Sequence, residues 1–145
     1  MIIKQISIFV ENKAGRLAEI TEAIAAAGID IRALSIADTT DFGILRLIVD
    51  KPEAAALALK EAGLTVSITN VIAVGIDDTP GAFSVPMRIL ADAGIDVEYM
   101  YAFISRDTQK AYVILRVADN DIAARVLLDK GVTLLDENGF YGLMK

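Results

Sequence analysis

Gly28-Ile29-Asp30-Ile31 returns 66 residues later as Gly94-Ile95-Asp96-Val97, and the stretch around each copy decides the fold. At the same spacing Ile6-Ser7-Ile8-Phe9-Val10 meets Ile72-Ala73-Val74-Gly75-Ile76, Gly15 meets Gly81, Leu17 meets Phe83 and Ile24 meets Leu90. Further on the spacing widens, with extra residues around Ser105-Arg106-Asp107-Thr108-Gln109. Ile44-Leu45-Arg46 then aligns with Ile114-Leu115-Arg116, and Gly63-Leu64-Thr65-Val66 with Gly131-Val132-Thr133-Leu134. Self-similarity at a long fixed period marks a repeated structural unit. Two domains are expected, residues 1–69 and 70–145.

Each half passes through the same order of periods. In the first, Ile6, Ile8 and Val10 alternate with Gln5, Ser7 and Phe9, the two-residue rhythm of a strand. Asn12-Lys13-Ala14-Gly15 breaks it, and from Leu17 the rhythm is helical, with Leu17, Ile20 and Ile24 on one stripe. Gly28 stands where a left-handed helix terminator belongs. Strands follow over Ile31 to Ala37 and Ile44 to Val49, separated by the turn Asp38-Thr39-Thr40-Asp41. Asp50-Lys51-Pro52-Glu53 reads as a capped helix start, an alanine-rich helix runs to Gly63, and Val66 to Thr69 makes a short last strand.

The order β-α-β-β-α-β predicts an α+β protein of two ferredoxin-like repeats side by side, each an antiparallel sheet with both helices on one face. The other face then needs a cover if it is apolar. Val97, Tyr99, Tyr101 and Phe103 line one side of a strand while Met100, Ala102 and Ile104 line the other, so burial on both sides is expected.

Composition removes most chemistry. Of 145 residues 54% are hydrophobic and 23% charged, which excludes a disordered chain and supplies a core. No stretch approaches the roughly 18 continuous apolar residues of a membrane span, and Met1-Ile2-Ile3-Lys4-Gln5 has no signal-peptide pattern, so a cytoplasmic protein without a membrane partner is expected. The chain has no cysteine and no histidine, which excludes disulfides, thiolate nucleophiles, Cys-based metal sites and the usual neutral-pH proton carrier. An enzyme would have to use carboxylates such as Glu11, Asp77 and Asp78, yet the adjacent pair points to opposite faces of an extended chain. No catalytic residue, metal or cofactor is therefore expected. A net charge of −6 argues against nucleic acid, even though modules that read RNA on strand aromatics share this topology.

Asp78-Thr79-Pro80-Gly81-Ala82-Phe83 followed by Gly94-Ile95-Asp96-Val97 resembles the ACT domain: an Asx at a strand end, x-Pro-Gly-x-Leu/Phe opening a helix, then Gly-Ile-Asp-Val opening the next strand. The first half matches through Asn12-Lys13-Ala14-Gly15-Arg16-Leu17 and Gly28-Ile29-Asp30-Ile31, with Ala14 in place of Pro. The resemblance spans the whole chain twice and implies a stand-alone, non-catalytic regulatory protein that binds a small amino acid where domains meet. It also implies a homodimer, with a metabolic enzyme as a further partner. The alternative is a regulatory subunit docking on an amino-acid biosynthetic enzyme, as acetolactate synthase small subunits do.

By resemblance the ligand residues are Asn12, Ala14, Gly15, Arg16, Leu17, Asp30 and Ile31 in the first half, and Asp78, Pro80, Gly81, Ala82, Phe83 and Asp96 in the second. The chemistry is independent of the family: a glycine turn lets a ligand approach the backbone, and the helix amides that follow offer partial positive charge to a carboxylate. Plain structural readings stand beside these. Gly15 and Gly81 are also good turn residues, Asn12 and Asp78 good helix caps, and Asp30 and Asp96 ordinary turn residues. Arg46 and Arg116, at matching strand positions, suit either a carboxylate ligand or, better, a structural salt bridge. Tyr99, Tyr101 and Phe103 suit packing better than stacking on a ligand. Pro86 falls where Ile20 sits in the first half, so the first helix of the second half is expected to start late, near Val85, and the two sites need not be equivalent.

Overall fold

The computed structural model of the chain describes residues 2–38, 41–103 and 110–143. Thr39, Thr40, Ile104 and the extra residues Ser105 to Gln109 lie outside that description. Two compact units divide the chain, Lys4–Thr69 and Asn70–Lys145 with Met1–Ile3, termed here the first and second modules.

In the first module β1 (Ile3–Glu11), α1 (Arg16–Ala26), β2 (Ile31–Asp38), β3 (Phe42–Val49) and α2 (Pro52–Glu61) follow in order, then β4 (Thr65–Asp77). The strands lie in the order β2-β3-β1-β4. The second module takes its first strand from the later part of β4, so the two short strands expected there are one element of 13 residues. It continues with α3 (Ser84–Asp92), β5 (Val97–Phe103), β6 (Lys110–Val117), α4 (Asn120–Asp129), β7 (Thr133–Leu135) and α5 (Glu137–Leu143). Here β6 lies between β4 and β5, and β7 pairs with β4.

One face of each sheet is closed by its helix pair. Ile6, Ile8 and Val10 of β1 and Leu45, Leu47 and Val49 of β3 pack against Ile20 and Ile24 of α1 and Ala55 and Leu59 of α2. In the second module Ile72, Val74, Val113, Leu115 and Val117 meet Leu90 of α3 and Ala123 and Leu127 of α4. Each large apolar side chain fully buried this way contributes about 1.5–3 kcal/mol. Gly28 and Gly94 end α1 and α3 with φ of 70° and 71°, as the sequence suggests.

Parts of β2 and β5 stay open on the side their helices cover. Met100 and Ala102 pair with Leu115 and Val113 on the helix side of β5 yet remain exposed, as do Leu34 and Ile36 of β2. The expectation that β5 is buried on both faces is therefore corrected: Tyr99, Tyr101 and Phe103 are half-buried and the residues between them are open. Each of these two strands has a single strand neighbour in its sheet, β3 for β2 and β6 for β5.

The register also corrects the alignment of the two halves. Phe9 pairs with Ile44, whereas Gly75, the repeat partner of Phe9, pairs with Tyr112. Arg46 thus corresponds to Ile114 and not to Arg116. A slip of two residues leaves every side chain on its original face, so alternation could not reveal it. Arg116 is held as a structural residue, ion-paired to Glu98 at 3.2 Å and donating to the carbonyl of Asn70 at 3.1 Å.

Asp50 is not the helix cap it resembled. The N-cap of α2 is Lys51, without a side-chain cap bond, and Pro52 opens the helix. The Asp50 carboxylate accepts from the amide of Asp30 at 2.9 Å, and the Asp50 amide donates back to the Asp30 carbonyl at 3.2 Å. That clasp joins the start of β2 to the end of β3.

The helix-free faces differ. In the second module α5, which the sequence did not announce, lays the fully buried Phe140 against Phe103 at 4.6 Å between ring centroids, and Phe103 stacks on Tyr112 at 5.8 Å. The Asp136 carboxylate holds the start of α5 by accepting from the Gly139 amide at 2.6 Å. In the first module the same face exposes Phe9 (49%) and Phe42 (43%), stacked at 5.0 Å. Phe140→Ala should destabilise the second module by about 3–5 kcal/mol, because it leaves a cavity under α5; urea denaturation followed by circular dichroism measures this, and a loss under about 1 kcal/mol would show that α5 is not part of the folded core.

Candidate functional site

Both repeats place a tight loop between the first strand and the first helix, and both loops turn on a left-handed glycine. Gly15 has φ 85° and Gly81 φ 84°, values that favour glycine because a Cβ would crowd the following carbonyl. No neighbouring atom would meet a Cβ at either position, so the constraint is the backbone angle alone. In the first loop the amide of Lys13 donates to Glu11 at 2.9 Å and that of Arg16 to Lys13 at 3.2 Å. In the second, Thr79 donates to Asp77 at 2.9 Å, Ala82 to Thr79 at 3.2 Å, Ser84 to Gly81 at 3.1 Å and Val85 to Ala82 at 3.3 Å. The amides opening α3 are thus more engaged within the loop than a simple helix start predicts.

Neither Asx residue stands at the N-cap of its helix. The N-cap of α1 is Gly15 and that of α3 is Phe83, and neither helix start has a side-chain cap bond. Pro86 is buried as the third residue of α3, within the first turn, where a missing N–H costs no helix bond. It takes the buried place that Ile20 fills in α1.

A cleft of about 430 Å³ opens at the second loop. Pro80, Gly81 and Ala82 form one wall, Ile76, Val85, Pro86 and Val132 add apolar surface, and Thr79 and Thr133 add hydroxyls. Asp77 at the end of β4 and Lys110 at the start of β6 face each other across the strand pair, with Nζ and Oδ1 3.2 Å apart. Gly75 lies in the cleft wall because nothing larger fits: a Cβ there would lie 2.9 Å from Cε1 of Tyr112 and 3.2 Å from Cβ of Thr133.

The first loop borders a smaller hollow of about 140 Å³, lined among others by Glu11, Asn12, Lys13, Arg16 and Leu17. Its charges are matched locally, Glu11 with Lys13 at 3.0 Å and Arg16 with Glu19 at 3.0 Å. The hydrogen bond from Lys13 and the charge of that ammonium hold the Glu11 carboxyl below its ordinary pKa, with a smaller contribution from Arg16. The Nε of Arg16 is buried without a hydrogen-bond partner.

Of the residues named from the sequence, Asn12, Arg16 and Leu17 come together at the first hollow and Pro80, Gly81 and Ala82 at the second cleft. Ala14 and Gly15 shape the first loop without lining its hollow. Asp30 is ion-paired to Arg32 at 3.2 Å, and Ile31 packs against the first core. Phe83 packs on the second core, while Asp78 and Asp96 are exposed outside the cleft wall. The sequence reading missed Lys110 and Thr133 as cleft residues, since both enter through strand pairing. It weighed Asp77 only as an enzyme's carboxylate. Among the described residues no group of three or more acidic side chains could hold a metal ion, and no helix is long and apolar enough to cross a membrane.

The family model described as an ACT domain pair matches residues 1–144. No curated protein matches the chain. Among solved structures, protein BT0572 from Bacteroides thetaiotaomicron is 42% identical with a TM-score of 0.91, the match covering 99% of this chain and 98% of that one. The regulatory subunit of aspartate kinase from Thermus thermophilus, in its ligand-free form, is 18% identical with a TM-score of 0.63 over 88% of this chain and 92% of that one. The aspartokinase alpha and beta subunits are 24% identical, with a TM-score of 0.53 over 88% of this chain and 95% of the other. The likeness to the two aspartate kinase structures is one of fold.

Two measurements check the site's construction. Gly75→Ala should cost about 1–3 kcal/mol in urea melts, because the Tyr112 ring must move to admit the methyl group; an unchanged midpoint would mean that the cleft wall is slack. Lys13→Met should raise the Glu11 titration midpoint toward the ordinary glutamate value, followed by carboxyl carbon NMR. The lowered folded pKa also gives the sign of the linkage: this pairing stabilises the fold above the unfolded glutamate's midpoint and is lost as pH falls through the folded one.

Proposed function

The chain belongs to the ACT domain pair family, and from that premise we propose that it is a non-catalytic regulatory protein that binds a small amino acid, the ligand controlling how domains or subunits pair. The observation that carries this reading is the cleft at Pro80-Gly81-Ala82, which joins apolar wall, hydroxyls and one charge of each sign in a volume of about 430 Å³. Such a lining suits a zwitterion with a small or branched apolar side chain. The mechanism is a difference of affinities: a ligand held more tightly in one pairing arrangement than in another shifts the population toward the first.

A second reading, a regulatory subunit that docks on an amino-acid biosynthetic enzyme, is favoured by the open aromatic face of the first module, where Phe9 and Phe42 are stacked in solvent. Phe9→Ser with Phe42→Ser would then abolish co-purification with the enzyme without changing the thermal midpoint.

A thermal-shift screen with the twenty protein amino acids tests the first reading. A ligand bound only by the native state at a hundred times its Kd adds about 2.7 kcal/mol. One amino acid, or a small set of similar shape, should raise the midpoint at millimolar concentration, and Gly81→Val should remove that response by forcing a branched residue into the left-handed turn. No shift with any of them would set aside the amino-acid reading and leave the docking subunit.

A further inference from the structure

We propose that Asp77 and Lys110 are the residues that take the two charged ends of the ligand in the second module, Lys110 the carboxylate and Asp77 the ammonium, so that the cleft selects intact α-amino acids over the corresponding amines and carboxylic acids. This rests on the amino-acid reading of the same cleft.

Three observations carry it. The two side chains pair directly across β4 and β6, both line the cleft, and they are the charged residues among those described in its lining. Their ion pair is open to water, with Asp77 74% and Lys110 35% exposed, and a pair so placed contributes little to the fold. It can therefore open and exchange each partner for a ligand group of the same sign as the one it leaves. Second, the amides of Ala82, Ser84 and Val85, which a helix start would otherwise offer to a carboxylate, already donate to carbonyls inside the loop. Lys110 supplies the formal positive charge among the described residues of the lining. Third, the first module lacks the arrangement. Glu11 pairs in register with Phe42, and its ion pair is with Lys13 in its own loop. Phe42 stacks on Phe9, where the second module has Gly75. The duplicated fold therefore carries an internal control.

The experiment is calorimetric titration of the full chain with the amino acid giving the largest thermal shift, its deaminated acid and its decarboxylated amine (for valine, isovaleric acid and isobutylamine). The intact amino acid should bind at least about tenfold more tightly than either analogue, since each analogue leaves one charged side chain without its partner. Lys110→Met and Asp77→Asn should each weaken the amino acid about tenfold or more, Lys110→Arg should stay within a few-fold of the unsubstituted protein, and Arg88→Gln, a charge change on α3 outside the cleft lining, should leave the amino-acid affinity unchanged. Circular dichroism melts establish that each variant is folded. Binding that survives both Lys110→Met and Asp77→Asn yet is lost in Gly81→Val would overturn this assignment while leaving the amino-acid reading intact. Absence of any amino-acid response from the unsubstituted protein would overturn both.

Discussion

Two helices laid across a sheet bury its central strands more completely than the strands β2 and β5 at its margin, and much of what distinguishes one part of this molecule from another follows from that difference. The strands under the helices, β1 and β3 in the first module and β4 and β6 in the second, carry the fully buried aliphatic side chains. The edge strands β2 and β5 keep Leu34, Ile36 and Met100 in solvent even though these residues share a face with the core. The opposite face is left to other devices, and in the second module a short helix supplies one by seating Phe140 against Phe103.

The same backbone plan supports two different loops. Left-handed glycines stand at equivalent positions, with φ of 85° and 84°. What diverges is the strand pair behind each turn. In the first module Phe9 and Phe42 stack there, whereas in the second the matching positions hold Gly75 and Lys110. Removal of one aromatic side chain and replacement of the other by a cation turn a flat apolar surface into a charged cleft. The buried Pro86 in place of Ile20, and the longer loop ahead of α3, complete that divergence without altering the order of elements.

Much of this was legible in the sequence, for a physical reason: strands and helices alternate with different periods, and the chain changes period cleanly at each boundary. The helix terminators Gly28 and Gly94 and, from Pro86, the late start of α3 at Ser84 were readable from single residues. The helix α5 was not, because Glu137-Asn138-Gly139-Phe140-Tyr141-Gly142-Leu143 contains two glycines and an asparagine, poor helix formers whose intrinsic preference is overridden by the burial of Phe140. The equivalence of Arg46 and Arg116 failed because hydrophobic alternation is blind to a shift of two residues. The loop of the candidate site was visible as Asp78-Thr79-Pro80-Gly81, yet Lys110 was not, since 33 residues separate it from its partner Asp77 and only strand register brings them together.

Gly75 has one more consequence. The protein contains no tryptophan and four tyrosines, so its ultraviolet emission originates in phenol rings. One of them, Tyr112, is 4% exposed and presses on the wall of the cleft at Gly75, which has no side chain to hold the ring off. Occupancy of that space alters the surroundings of this ring before those of a distant one, which makes the chain its own optical probe, with no label attached.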